Sequence, residues 1–168
     1  MNFIIRNIEK TEFSFLEKML YEAIFIPEGE EKLPKEIIFI PELYRYIQLF
    51  GQKNDICLVV VLDNELVGAA WTRIYAEIPT GMPAQVSAGY GYLDDQTPEL
   101  SMAIQEKHRN KGIGTQLLQK MIDKLKTLKY YQVSLSVDNR NFAYQLYQKL
   151  GFVDVETTEN SVIMKKIL

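Results

Sequence analysis

Arg109-Asn110-Lys111-Gly112-Ile113-Gly114-Thr115 combines two cations, two glycines on alternate positions and a hydroxyl, between a short apolar run and a strongly amphipathic one. The N-terminus of a helix presents unpaired N–H groups and a partial positive charge of roughly half a unit, so it attracts a phosphate. Gly112 and Gly114 remove the Cβ atoms that would hold an anion off those N–H groups. Arg109 and Lys111 add charge, and Thr115 adds a hydroxyl donor. A pyrophosphate fits that description. Two familiar phosphate motifs fail on spacing: Gly114 is followed by Thr115 and Gln116 rather than by the Lys-Ser/Thr of a P-loop. Gly89-Tyr90-Gly91 lacks the third glycine of a dinucleotide fingerprint, and no clear helix follows it. Taken alone, Arg109 to Thr115 reads equally as a solvated basic turn. A second signature, Asn141-Phe142-Ala143-Tyr144-Gln145-Leu146-Tyr147-Gln148-Lys149-Leu150-Gly151-Phe152, lies downstream.

Other reactive residue types point elsewhere. Cys57 sits in Ile56-Cys57-Leu58-Val59-Val60-Val61-Leu62, where a thiol serves as a small buried apolar group, and one cysteine with one histidine makes neither a disulfide nor a zinc site. No metal is expected. His108, inside the phosphate loop, reads as exposed and non-catalytic, and Trp71 as core or pocket wall. The absence of a visible Ser-His arrangement argues against a covalent nucleophile.

The elements that must position these residues follow from periodicity. Phe3 to Ile8 predicts a strand, and Thr11-Glu12 opens a helix carrying Phe13, Leu16, Leu20, Ala23 and Ile24 on one face until Pro27 and Gly29. Pro34 and Pro41 mark the first turns of two short helical pieces within 34–50. Ile56 to Leu62, Asp63-Asn64 and Leu66 to Tyr75 predict a β-hairpin, with Gly68 at a bulge or a close backbone approach. The Gly- and Pro-rich stretch 76–98 predicts loop with at most a short strand. Glu99 to Ile104 predicts a strand, and Gly112 to Leu128 the clearest helix, with Ile113, Leu117, Leu118, Met121, Ile122, Leu125 and Leu128 on one face. Gln132 to Val137 is a strand and Asn141 to Leu150 a helix that Gly151 ends in the left-handed conformation. Phe152 to Thr157 and Val162 to Ile167 are closing strands. Strand-helix-strand order from Glu99 onward requires a crossover, hence one parallel pair in an otherwise antiparallel sheet.

With both motifs and this order in place, the chain resembles the GCN5-related N-acetyltransferase (GNAT) superfamily. The family pattern Arg/Gln-x-x-Gly-x-Gly/Ala is matched by Arg109-x-x-Gly112-x-Gly114, and Asn-x-Ala-x-x-Leu-Tyr-x-Lys-x-Gly-Phe by Asn141 to Phe152. The resemblance implies an α/β fold, a mixed and mostly antiparallel central sheet with one parallel, splayed strand pair, flanked by helices. It implies that the N–H groups of Arg109, Asn110, Lys111, Gly112, Ile113, Gly114 and Thr115 hold the pyrophosphate of acetyl-CoA. Free backbone groups at Met102 and Ile104 would pair with the pantetheine amides, and Asn141, or its rival Asn139, would touch the cofactor. Tyr147 would be the general acid toward the CoA sulfur, and a strand-end N–H near Ile104 the carbonyl polariser.

An amine acceptor has a pKa near ~10.4 and a thiol near ~8.5, so a base matters more than an acid. Glu99 is the resemblance's candidate base, with Asp94, Asp95, Glu22 and a water chain as alternatives. Strand alternation groups Glu99 with Ser101 and Ala103, and leaves open which way that face looks. Tyr147 also fits a packing stripe with Phe142, Ala143, Leu146 and Leu150. Tyr21, Glu22, Phe25 and Tyr44 are candidates for the acceptor wall, with ordinary amphipathic packing as the competing reading.

At 168 residues, 47% hydrophobic and 24% charged, the chain fits one globular domain, 1–168. A net charge of −3 argues against nucleic-acid binding. No apolar run reaches the ~20 residues of a membrane span, and nothing at the N-terminus reads as a signal peptide, so a cytoplasmic protein is expected. The functional expectation is direct acetyl transfer to the amine of a small molecule or peptide. An acyl-CoA-binding regulatory module without turnover is the alternative, and a phosphate-binding scaffold a third reading. A homodimer is open, with no interface named.

Overall fold

The computed structural model of the chain describes residues 2–75 and 88–168. Strands β1 (Phe3–Asn7), β2 (Ile56–Leu62), β3 (Glu65–Arg73), β4 (Glu99–Ile104), β5 (Gln132–Asp138), β6 (Val153–Thr157) and β7 (Ser161–Ile167) form a sheet in the order β1-β2-β3-β4-β5-β7-β6. Every neighbouring pair is antiparallel except β4 with β5. This is the mixed sheet expected from the strand-helix-strand order. Helices α1 (Phe15–Ala23), α2 (Pro41–Tyr44), α3 (Ile113–Thr127) and α4 (Ala143–Lys149) flank it.

The sheet is covered on both faces, and β2 records this directly. Ile56, Leu58, Val60 and Leu62 join a core with α3 and with Tyr147 of α4. Cys57 and Val59 join a second core with Leu16, Met19 and Leu20 of α1, Ile38, Tyr46 and Trp71. A strand buried on both faces reads as a continuous apolar run, which is why 56–62 shows no alternation. Cys57 is buried, and burial pushes its thiol well above the ordinary range, which removes it as a nucleophile.

The turn between β2 and β3 places Asp63 (φ 51°) and Asn64 (φ 64°) in the left-handed region that a two-residue hairpin loop requires. Both expectations for Gly68 hold. The register passes from Val60↔Gly68 to Val61↔Leu66, so Val67 bulges, and a Cβ on Gly68 would collide with Ile104 Cδ1 and lie 3.1 Å from the Ala103 carbonyl. Gly68→Ala is therefore expected to lose about 1–3 kcal/mol by overpacking, read as a lower urea midpoint at unchanged m-value. An unchanged midpoint would show that β4 yields at no cost.

Element ends differ from the sequence reading for local reasons. The first helix begins at Phe15 because Lys10–Glu12 forms a separate 3-10 turn, in which the Glu9 N–H donates to Glu12 Oε2 (2.8 Å). Phe13 turns instead to Phe50, edge to face at 5.3 Å. The last helix starts at Ala143, whose N–H donates to Asn141 Oδ1 (2.9 Å). Leu128, expected on the buried face of α3, caps that helix and is half exposed. Gly151 (φ 86°) ends α4 as expected. Of the predicted loop, 76–87 lies outside the described residues, and 88–98 holds turns without helix or strand. No described helix is long and apolar enough to cross a membrane.

Candidate active site

The parallel strands meet only at their start. Glu99 aligns with Ser134, whose N–H donates to the Pro98 carbonyl (3.1 Å), and no further pair follows. Backbone groups alternate sides along a strand. Since the Gln105 N–H reaches back to Val67 O on β3 (2.9 Å), residues 99, 101, 103 and 105 turn toward β3, and 100, 102 and 104 toward the gap. Met102 thus offers both its N–H and its carbonyl there. The Ile104 carbonyl is already taken by Arg109 Nε (2.8 Å), which leaves only its N–H. The gap widens into a cleft of about 1370 Å³ bounded by β4, β5, the end of α1, the start of α3 and α4.

One end of the cleft is the start of α3. Gly112 is its N-cap in the left-handed conformation (φ 75°), two residues after Asn110 (φ 59°), and no side chain caps the helix. The first N–H groups of α3 therefore stay available. A Cβ on Gly112 would meet nothing within 4 Å, and one on Gly114 only Met102 Cε at 3.6 Å and Ile104 Cγ1 at 3.8 Å. Gly112 answers to its φ, whereas a methyl at Gly114 would make only ordinary contact. Arg109, Asn110, Gly112, Gly114 and Thr115 line the cleft, while the Ile113 side chain is buried in the core. The two cations act differently from a pair of free charges. Lys111 Nζ donates to the Lys107 carbonyl (2.9 Å). Arg109 Nη2 is held by the Glu22 carboxylate (2.7 Å) and carbonyl (3.0 Å), so it ties α1 to the end of β4. Asn141 lines the cleft; Asn139 is drawn to the Glu159 carbonyl (3.2 Å).

The other end holds Glu99, 3% exposed, on the face of β4 turned toward α1 and Tyr46. Its Oε1 accepts from Tyr46 Oη (2.9 Å) and from the Gly91 N–H (2.8 Å), and Oε2 has no partner among the described residues. Burial raises its pKa to about 7, against the lowering effect of the Gly91 and Tyr46 hydrogen bonds and the Arg45 charge. Such a carboxylate can take a proton at neutral pH. Tyr147 also lines the cleft, its ring 5.6 Å from Phe152, and burial pushes its hydroxyl well above the ordinary range, so it stays protonated.

The alternative acids are engaged elsewhere. Asp94 accepts the N–H groups of Gln96 and Thr97, Asp95 accepts the Tyr92 hydroxyl, and Glu22 holds Arg109. His108, expected to be exposed, is half-buried at the cleft with neither ring nitrogen bonded among the described residues. Trp71 is fully buried and donates to the Tyr46 carbonyl (3.1 Å), so it is core.

This arrangement has a counterpart in known proteins. Residues 16–152 match the model of the acetyltransferase (GNAT) family. The chain belongs to the GNAT acetyltransferase family. Solved structures agree in fold at low identity. The PaiA N-acetyltransferase of Thermoplasma acidophilum, solved in complex with coenzyme A, is 20% identical with a TM-score of 0.64, over 100% of both chains. YncA of Salmonella typhimurium, solved with acetyl-CoA, is 18% identical with a TM-score of 0.64, over 100% of this chain and 95% of its own. The ribosomal-protein-alanine N-acetyltransferase of Brucella melitensis is 18% identical with a TM-score of 0.65, over 98% and 99%. No curated protein matches the sequence significantly.

In this GNAT chain the cleft also gathers residues that sequence reading did not single out. Tyr46 and Tyr90 line it beside Glu99, and Leu43 lines it where Tyr44 was considered; Tyr44 instead packs on Phe39 at 5.5 Å. Tyr21, Glu22 and Phe25 do border the cleft. The sequence signal for the Glu99 environment is Gly89-Tyr90-Gly91, an incomplete phosphate motif by its spacing. A Cβ on Gly91 would come within 2.5 Å of the Leu135 carbonyl carbon and 2.7 Å of the Ser136 nitrogen, so that glycine allows close approach to β5.

Proposed function

We propose that the protein is an acetyl-CoA-dependent N-acetyltransferase that passes the acetyl group directly to a primary amine of a small molecule or peptide. The observation that carries this reading is the common cleft. It joins uncapped N–H groups at the start of α3, free backbone groups on β4, a protonated Tyr147 and a Glu99 that titrates near neutrality. The residues present fit the cofactor, because no side chain caps the N–H groups at the start of α3, which leaves them for a pyrophosphate. Met102 then pairs with the pantetheine arm in the manner of an added strand.

Acetyl-CoA supplies a thioester whose carbonyl carbon is open to attack. The N–C bond forms as the C–S bond breaks, and its electron pair leaves on the sulfur. Glu99 removes the proton of the attacking nitrogen, Tyr147 donates its hydroxyl proton to the sulfur, and the Ile104 N–H polarises the carbonyl.

The test is thiol release from acetyl-CoA across a library of primary amines. Release coupled to N-acetylated product is expected. Tight acetyl-CoA binding without release for any amine would mean a regulatory binder, and calorimetric binding of ATP but not acetyl-CoA would mean a phosphate scaffold. Tyr147→Phe is expected to lower kcat about tenfold, below the usual 10²–10⁴ for acid–base catalysis because a thiolate leaves readily. A folded variant with wild-type kcat would leave the thiolate to be protonated by solvent.

A further inference from the structure

We infer that Tyr46 and the Gly89–Gly91 turn form a clamp that binds one oxygen of Glu99 and holds the carboxylate at the edge of the cleft, with the other oxygen left free of hydrogen bonds. This inference rests on the reading of Glu99 as the base and adds Tyr46 as the positioning residue. The geometry is asymmetric. Both hydrogen bonds to the carboxylate, from Tyr46 Oη and the Gly91 N–H, fall on Oε1. Tyr46 Oη is itself oriented, because it accepts from the Tyr90 N–H (2.7 Å) and so directs its proton to Glu99. Oε2 is buried and unpartnered among the described residues.

Two glycines make room for the clamp. A Cβ on Gly89 would run into Oε2, and a Cβ on Gly91 would strike the backbone of β5. Gly89-Tyr90-Gly91 thus serves the carboxylate and not a phosphate. Tyr46 is anchored from three sides: its carbonyl accepts from Trp71 Nε1, Tyr75 packs edge-on at 5.9 Å, and Tyr90 lies at 6.4 Å.

Among the described residues, the charged and titratable groups around Glu99 are few. Arg45, beside Tyr46, stands over the rings of Tyr46 (5.6 Å) and Tyr90 (4.8 Å), and its charge favours the carboxylate. Tyr75, just past β3, stays protonated because burial raises its pKa, and Glu99 adds to that. Arg73, directly across from Glu99 on β3, is turned to Asp55. The donors that set the Glu99 proton are therefore Tyr46 and Gly91.

The experiment is a carboxyl-carbon NMR titration of glutamate-labelled protein without ligands, with Glu99 assigned from Glu99→Gln, beside the pH profile of kcat/KM. Tyr46→Phe keeps the ring and deletes the donor, so the Glu99 midpoint is expected to rise by about one pH unit from near 7, and the acid limb of kcat/KM with it. Gly89→Ala, whose methyl displaces Oε2 and pulls the carboxylate off its two donors, is expected to raise the midpoint as well. A Glu99 midpoint unmoved in both variants overturns the clamp. A purely structural Tyr46 would lower the Tm and move neither midpoint nor limb. Wild-type turnover in Glu99→Gln would overturn the base and not the clamp, which the titration reads in the protein alone.

Discussion

Glu99→Gln is expected to lower kcat/KM for amine acetylation by about 10²- to 10⁴-fold at pH 8, with the affinity for acetyl-CoA unchanged. Glutamine keeps the shape of the side chain and can still accept the Gly91 N–H, but it cannot take a proton. The wild-type profile is expected to fall tenfold per pH unit below about 7, where Glu99 becomes protonated, and the variant's residual rate is expected to lack that limb. Stopped-flow thiol release from pH 5.5 to 9 reads both quantities. A variant within threefold of wild type across that range would remove Glu99 from the proton transfer.

The same residue links function to stability, with a definite sign. The unfolded chain releases this proton near 4.5 and the folded protein near 7. Below 4.5 both states hold it. From there to 7 the unfolded state alone ionises, so stability falls as pH rises, by about 3 kcal/mol in all. Glutamine is neutral throughout. The difference in Tm between Glu99→Gln and wild type is therefore expected to move in the variant's favour between pH 5 and pH 8. The native protein keeps a destabilising carboxylate at the position proposed for the base.

The α3 end of the cleft was legible in sequence because its parts are contiguous. Gly112 and Gly114 belong to one loop, and the Ile113-to-Leu125 stripe that follows is local periodicity, so a single window contains both the site and the helix that presents it. Asp63-Asn64 announced the hairpin in the same way. Leu128 was misread because periodicity does not say where a helix stops. The Glu99 end of the cleft was not legible, because its contacts join distant segments. Tyr46 lies 53 positions from Glu99, and the Gly91 N–H comes from a turn whose glycines spell an incomplete phosphate motif. Strand alternation placed Glu99 with Ser101 and Ala103; only packing decided that this face meets Tyr46. Burial, which makes Glu99 titrate near 7, is a property of the surrounding fold and leaves no mark at position 99.

Asp55→Ala is expected to destabilise the protein by about 3–5 kcal/mol, although Asp55 touches no part of the cleft. Its carboxylate meets Arg73 with two parallel bonds, Nε to Oδ1 and Nη2 to Oδ2, each 3.0 Å, with side-chain exposures of 3% and 1%. Oδ2 also accepts the N–H groups of Gly51 (2.9 Å) and Gln52 (3.0 Å). Removing it leaves a buried guanidinium unpaired, which costs more than the pair's own attraction is worth. The effect extends to the active site through Arg73 Nη1, which donates to the carbonyls of Arg45 (2.9 Å) and Gln48 (2.6 Å) and thereby fixes the backbone on either side of Tyr46. A fall in Tm of about 10 °C is expected for a chain of this size. It should persist in 1 M salt, because a pair this buried is little screened. Where the variant is still folded, the acid limb of kcat/KM should rise as in Tyr46→Phe, because a loosened Tyr46 donates less to Glu99. A Tm within 2 °C of wild type would mean that Arg73 finds other acceptors and that the segment carrying Tyr46 is held by its aromatic packing alone.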